Sequence, residues 1–354
     1  RRLSPASGWF KRVRCAVHPR DHPGSGPVKS DRHLGHPSTQ CDGARMRCGA
    51  GWVATANTVA EVTIDAGDWE ARLSRDGDGF IDESGYPVRL EPIRTIITGL
   101  ATLTYEEAKT AEPDRYNDLE LDDPSPETGA GRLITLGAAD KPLASLIVGD
   151  SDLTVGGRRG GLFARLPDDP QTWLLRGAVD LPGSRGDLFD AQLLGWNTND
   201  VAAMTVSSNS PAASLSFVST EAGSPLNPVN LPAGEQTDNE KVLGLGALVN
   251  NLRFSDVRKA VPDSKTDGAV AYETRNGVRL TIAKLSLAEG APANAERWLR
   301  LSVTATDQAN EEGRQQAAQL AAKVDGYDFT VYDSTDKTLR QTPADLIATT
   351  PAQD

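Results

Sequence analysis

His18, His22, His33, His36, Cys15, Cys41 and Cys48 are all the histidines and cysteines of a 354-residue chain. Everything after residue 48 therefore lacks the side chains that most often act as general base, nucleophile or soft-metal ligand. Within the first segment, Cys15, His18, Cys41 and Cys48 do not form the paired spacings of a zinc site; only His18/His22 and His33/His36 are close. Three later motifs look chemical. In Asp76-Gly-Asp-Gly-Phe-Ile-Asp-Glu83, setting Gly79 at position 6 of a calcium loop puts Ser74 at position 1 and Gly85 at position 12. The two strongest oxygen ligands are then missing, which favours a hairpin turn. Gly149-Asp-Ser-Asp-Leu153 only resembles the nucleophile block of GDSL hydrolases, and no histidine follows Ser151 to take its proton. A turn after a strand at Leu143–Val148 is the plainer expectation. Gly156-Gly-Arg-Arg-Gly-Gly161 offers backbone amides and two guanidinium groups to an anion. No helix follows it, so it reads as a hairpin loop. No catalytic residue, cofactor site or metal site is assigned. Arg158, Arg159, Trp173 and Trp196 are the candidates for a contact surface.

Charge is divided as unevenly as chemistry. Residues 1–55 carry a net charge of +7 and the remainder −19. An acidic body argues against nucleic acid and against direct binding to anionic lipid. Residues 1–56 mix Arg, Gly, Pro, Cys and His with no hydrophobic period. They read as a disordered basic arm or as DNA translated in the wrong frame. No window contains the 18 or so apolar residues of a membrane helix. The chain begins with Arg, so its start is expected to be incomplete.

The elements that would position these residues come in two sets. Val59–Ile64 alternates as a strand, a turn follows at Ala66-Gly67-Asp68, and Trp69, Ala71 and Leu73 complete a hairpin. Pro87 is expected to open a helix carrying Leu90, Ile93, Ile97, Leu100 and Leu103 on one stripe, ending near Tyr105. About 142 residues later the order recurs. Val201–Val206 and Ala213–Phe217 are the strands, and a helix carries Val242, Leu245, Leu248, Val249 and Leu252. Leu103–Lys109 aligns with Leu252–Arg258. Strands at Arg132–Leu136, Leu143–Val148, Gly161–Arg165 and Thr172–Leu175 follow in the first set, and at Val278–Leu285 and Trp298–Ala305 in the second. A polar helix at Glu311–Val324 and a strand at Tyr327–Tyr332 finish the pattern, and Glu120–Asp123 reads as a solvated loop. The expected fold class is α+β: two related repeats, each a mainly antiparallel sheet with a helix packed on one face. The expected division is 57–195 and 196–347, with residues 348–354 as a tail.

Several stretches taken in order resemble one family. They are Asn57–Ile64; Gly85-Tyr-Pro87; Ala108–Tyr116 with Leu119–Pro124; and Leu146–Gly149 with Gly161–Pro167 and Gln171–Leu175. Over roughly residues 57–347 the chain is similar to the bacterial domain of unknown function 4340. The resemblance implies an N-terminal membrane helix, a domain outside the cytoplasm, and association with gliding-motility-type ABC transporter components. It carries over no catalytic residues. Where the membrane helix belongs, this chain has the Cys/His/Arg segment instead. The expected function is a non-enzymatic accessory or substrate-handling module, facing the periplasm and contacting transporter membrane subunits or related accessory proteins. The alternatives are an enzyme acting on glycans or peptides through carboxylates alone, and a purely structural envelope protein.

Overall fold

The computed structural model describes residues 58–348, apart from 128–129, 139–140, 156–159, 210–213 and 293–294. The Cys/His/Arg segment lies outside the described residues. The first half builds a nine-stranded sheet and the second an eight-stranded one. In the first half the strands are β1 (Glu61–Asp65), β2 (Glu70–Asp76), β3 (Gly79–Asp82), β4 (Pro87–Val88), β5 (Thr104–Ala108), β6 (Arg132–Ala138), β7 (Lys141–Asp152), β8 (Gly161–Arg165) and β9 (Thr172–Arg176). Helix α1 (Leu90–Thr102) lies between β4 and β5. The second half has β10 (Val201–Ser208), β11 (Ser214–Val218), β12 (Asn227–Pro228), α2 (Asn239–Ala247), β13 (Phe254–Lys259), β14 (Thr266–Thr274), β15 (Val278–Leu285), β16 (Leu299–Ala305), α3 (Glu311–Val324), β17 (Tyr327–Val331) and α4 (Asp333–Leu339).

Strand order shows that the halves are copies. The first sheet runs β4-β3-β2-β1-β6-β7-β8-β9-β5 and the second β12-β11-β10-β14-β15-β16-β17-β13. In both, the strand after the helix crosses to the far edge. Even an irregularity is shared: β5 breaks register between Tyr105 and Glu107 against β9, and β13 between Phe254 and Asp256 against β17. A bulge at one place in both copies is inherited architecture, because bulges re-aim a strand. It also fixes the correspondence: Tyr105 with Phe254, Glu107 with Asp256 and Leu103 with Leu252.

Local chemistry explains the elements. Val62 and Ile64 point into the core from β1, opposite Leu73 and Ala71 of β2. The turn between them has Gly67 at φ +84° and its N–H donating to Asp65 Oδ1 at 2.9 Å. The Asp76–Asp78 motif is a two-residue hairpin loop, with Asp76 paired to Gly79 and Gly77 at positive φ.

Four expectations are corrected. Pro87 belongs to β4 rather than to a helix start, and α1 ends at Thr102, so Tyr105 lies in a strand. The buried stripe of α1 is Ile93, Ile96 and Ala101, with Leu90, Ile97 and Leu100 only partly covered. Gly149–Asp152 is the end of the long strand β7, not a turn. The run Glu120–Asp123 is pinned rather than freely solvated. Arg165 donates to Leu121 O at 2.7 Å and pairs with Asp123, while Leu121 is fully buried with Tyr116 and Ile147.

One hydrophobic core runs through both halves. At their junction Tyr86, from the first half, has its ring centroid 4.9 to 5.9 Å from those of Phe189, Phe254, Tyr327 and Phe329. Arg185 spans the same junction. Its Nη2 donates to Asp82 Oδ2 at 2.7 Å, and its Nη1 pairs with Asp256 and donates to Val257 O at 3.1 Å. Asp82 is fixed in turn, its Oδ1 accepting from Ser84 and from the Tyr86 N–H.

Candidate functional site

One of the singled-out motifs lines a groove. β7 carries Gly149, Asp150 and Ser151 to the edge of a groove on the first half, and β8 begins beside them at Gly161. The far wall is the 178–181 segment, which crosses α1 where Gly99 has no side chain. A Cβ there would lie 2.9 Å from Ala178 O. The groove has a volume of about 770 Å³, with a floor that includes Val148, Leu162 and Val179. Among the described residues its lining includes the acidic Asp68, Glu120, Glu127, Asp150 and Asp180 and one cation, Arg132. Arg132 is held by a 3.3 Å bond to Pro182 O.

Leu153 stands at this rim 86% exposed. The turn presenting it is set by Asp152, whose Oδ1 accepts from Thr154 N and Oγ1 at 2.8 and 2.5 Å. Those bonds hold the Asp152 carboxyl below its usual range, with the Thr154 hydroxyl the largest cause. Leu153 is the most exposed of the large apolar side chains among the described residues. The sequence offered little warning of it, since Leu153 sits in a polar run.

The described lining thus combines carboxylates with apolar surface. Among the described residues no base is hydrogen-bonded to Ser151 Oγ, and the Ser151 N–H is turned to Asp150 Oδ1 at 2.6 Å. Among the same residues no group of three His, Cys, Asp or Glu is placed to hold a metal ion. No helix among them is long and apolar enough to cross a membrane.

Of the four candidate contact residues, Trp173 and Trp196 are among the described residues. Arg158 and Arg159 lie outside the described residues. Trp173 is in β9, half-buried, edge-on to Tyr105 at 5.3 Å. Trp196 is only 9% exposed and its backbone N–H donates to Val249 O at 2.9 Å, so it serves the core of the second half.

The second half has two further clefts, of about 700 and 820 Å³, on either side of the 286–297 loop and sharing Ala295 and Glu296 as lining. Arg258 stacks over Trp298 at 4.1 Å in the first of them. Both Arg258 and Arg300 pair with the fully buried Asp328, so these guanidinium groups are committed to the fold.

Neither the curated proteins nor the solved structures give a match to this chain. A family model described as a domain of unknown function does match, over residues 80–272. That span includes most of β3 through most of β14, most of the groove's lining, and Tyr86, Arg185, Phe189 and Phe254 of the junction. The chain belongs to the DUF4340 family.

Proposed function

We propose that this chain is a non-catalytic binding module: an extracytoplasmic accessory or substrate-handling part of an ABC-type transport system. The first-half groove would be its contact site. The observation that carries the reading is the composition of the groove, whose lining among the described residues combines Val148, Leu162 and Val179 with five carboxylates and one guanidinium, Leu153 lying exposed beside them. Such a surface suits a partner segment that brings Lys or Arg beside apolar side chains. A rigid two-sheet body supports the same role, because a docking surface held by a continuous core loses little entropy on binding. The association with transporters rests on what family resemblance implies.

The test is a photo-crosslinking amino acid placed at Leu153 and, as a control, at Val229, which is 62% exposed on the second half. Crosslinking in cells of the native host is expected to give a Leu153-specific adduct containing a transporter membrane subunit or accessory protein. Adducts equal at both positions, or none with transport components, would sink the reading. Asp150→Lys should weaken the adduct by about tenfold, as the loss of one rim charge contact implies.

A further inference from the structure

Asn276-Gly277 is the one Asn-Gly pair in the chain. Such a pair readily loses its side-chain amide, because glycine puts no side chain in the way of its own nitrogen. The Gly277 N attacks Asn276 Cγ, a five-membered succinimide closes, and Nδ2 leaves as ammonia with the proton from the Gly277 N–H. Water then opens the ring at either carbonyl, giving aspartate or isoaspartate.

The pair sits in the three-residue loop between β14 and β15, where the reacting groups are all engaged. The attacking Gly277 N is turned away, donating to Thr274 O at 2.9 Å. Asn276 Oδ1 accepts from the Thr274 hydroxyl, which is itself fixed by accepting from Val278 N at 2.9 Å. Asn276 Nδ2 donates to Gln316 Oε1 on α3 at 2.9 Å. The carbonyls are held as well: Asn276 O accepts from Asn310 N at 3.2 Å, and Gly277 O from Thr306 N at 2.8 Å. Gly277 is buried, and a Cβ on it would lie 2.4 Å from Ala309 Cα. The loop therefore has no room to swing Gly277 N toward Cγ while α3 and its N-cap, Asn310, are seated on it.

We infer that Asn276 is a deamidation site gated by α3. The succinimide closes only when the β14–β15 loop lifts from the helix, so the site reacts at a rate set by that local opening. The two products differ in effect. Aspartate keeps an acceptor for the Thr274 hydroxyl and faces Gln316, whose amide can turn to donate to it. Isoaspartate adds a carbon to the main chain where Asn276 O already lies against Gly313, so the loop cannot reseat. The gate is independent of the groove at Leu153.

The test is peptide mapping by mass spectrometry of the full chain kept in mildly alkaline buffer, beside a synthetic peptide of residues 271–281. Asn276 in the folded chain is expected to deamidate more slowly than in the peptide by about tenfold or more, as an opening equilibrium implies. Gln316→Ala removes the partner of Nδ2 and should recover most of the peptide's rate. Gln316→Glu keeps an acceptor there and should stay slow. Gln316 is only partly buried on α3, and the urea midpoint of each variant shows that it is folded. Equal rates in chain and peptide would overturn the inference. So would a slow rate unchanged by Gln316→Ala, which would place the protection in the hairpin turn alone. Hydrogen exchange across Glu311–Val324 should quicken in chains carrying isoaspartate, and exchange as slow as in the parent also counts against the gate.

Discussion

At the scale of single residues, Tyr86 shows how a junction can be both well packed and imperfect. Its ring makes edge contacts with four aromatic side chains, which favours close packing. Its hydroxyl, however, is buried and has no hydrogen-bond partner among the described residues. Removing an unsatisfied buried polar atom without changing shape is favourable, so Tyr86→Phe is expected to stabilise the protein by about 1 kcal/mol in urea titration. The same burial pushes the Tyr86 phenol above its ordinary 10.0, with nearby carboxylates, Asp190 foremost, adding to the shift. The folded state therefore keeps a proton that the unfolded chain gives up above about pH 10. Stability contributed by the neutral phenol is whole below that pH and is lost as pH rises through it. Tyr86→Phe should make the alkaline fall shallower by up to about 1.4 kcal/mol per pH unit. Some fall should remain, because Tyr272 is buried and raised in the same direction. A variant no more stable than the parent at neutral pH, or an unchanged alkaline slope, would mean that the hydroxyl has a partner.

At the scale of elements, α3 illustrates what a sequence does and does not tell. Its bounds, Glu311–Val324, agree with the polar helical pattern, because Asn310 caps it and the period is sustained. The strands of the first sheet from β6 to β9 were legible for a similar reason: each alternates or runs apolar between turn residues. β5, β13 and β14 were not. Thr104–Ala108 and Phe254–Lys259 are short, charged edge strands whose place is set by pairing with β9 and β17, far away in sequence. The aligned pair Leu103–Lys109 and Leu252–Arg258 was visible as a repeat but not as a strand. The groove was legible only in part: Gly149–Leu153 stood out as a motif, while Val179 and the acidic residues opposite it are brought near by chain crossing. Of the contact candidates, Trp196 stood out by residue type, which says nothing about burial. α3 also gives a sharp test. A Cβ on Gly313 would lie 2.0 Å from Asn276 O, in the β14–β15 hairpin. Alanine is better than glycine inside a helix by about 1 kcal/mol. Here the clash should win, and Gly313→Ala is expected to destabilise by about 1–3 kcal/mol, the usual cost of overpacking. A gain in the urea midpoint would show that α3 can shift away from the hairpin.

At the scale of the whole molecule, the question is what makes two copied halves behave as one body. Each has its own sheet and helix. The continuous core and the Tyr86 plug couple them through apolar contact. Arg185 couples them through charge, since Asp82 belongs to the first half and Asp256 to the second. Asp82 has no exposed side-chain surface and Arg185 is 12% exposed, so neither charge can turn to water if the other is lost. Breaking a buried ion pair from one side costs about 3–5 kcal/mol, mostly the penalty of the abandoned partner. Burial also raises the Asp256 carboxyl even with Arg185 beside it, so part of the cost can be relieved by protonation there. Relief of this kind does not restore the bridge, because a protonated Asp256 no longer draws the halves together. Calorimetry is expected to show one transition for the parent chain, with equal calorimetric and van't Hoff enthalpies. Arg185→Met should lower the midpoint and split the transition in two, because methionine keeps some packing on Phe189 but holds neither carboxylate. A split already present in the parent would refute the coupling. A single transition in the variant, lowered by the full cost, would instead assign cooperativity to the aromatic contacts of Tyr86, and Tyr86→Ala would then be the substitution that separates the halves.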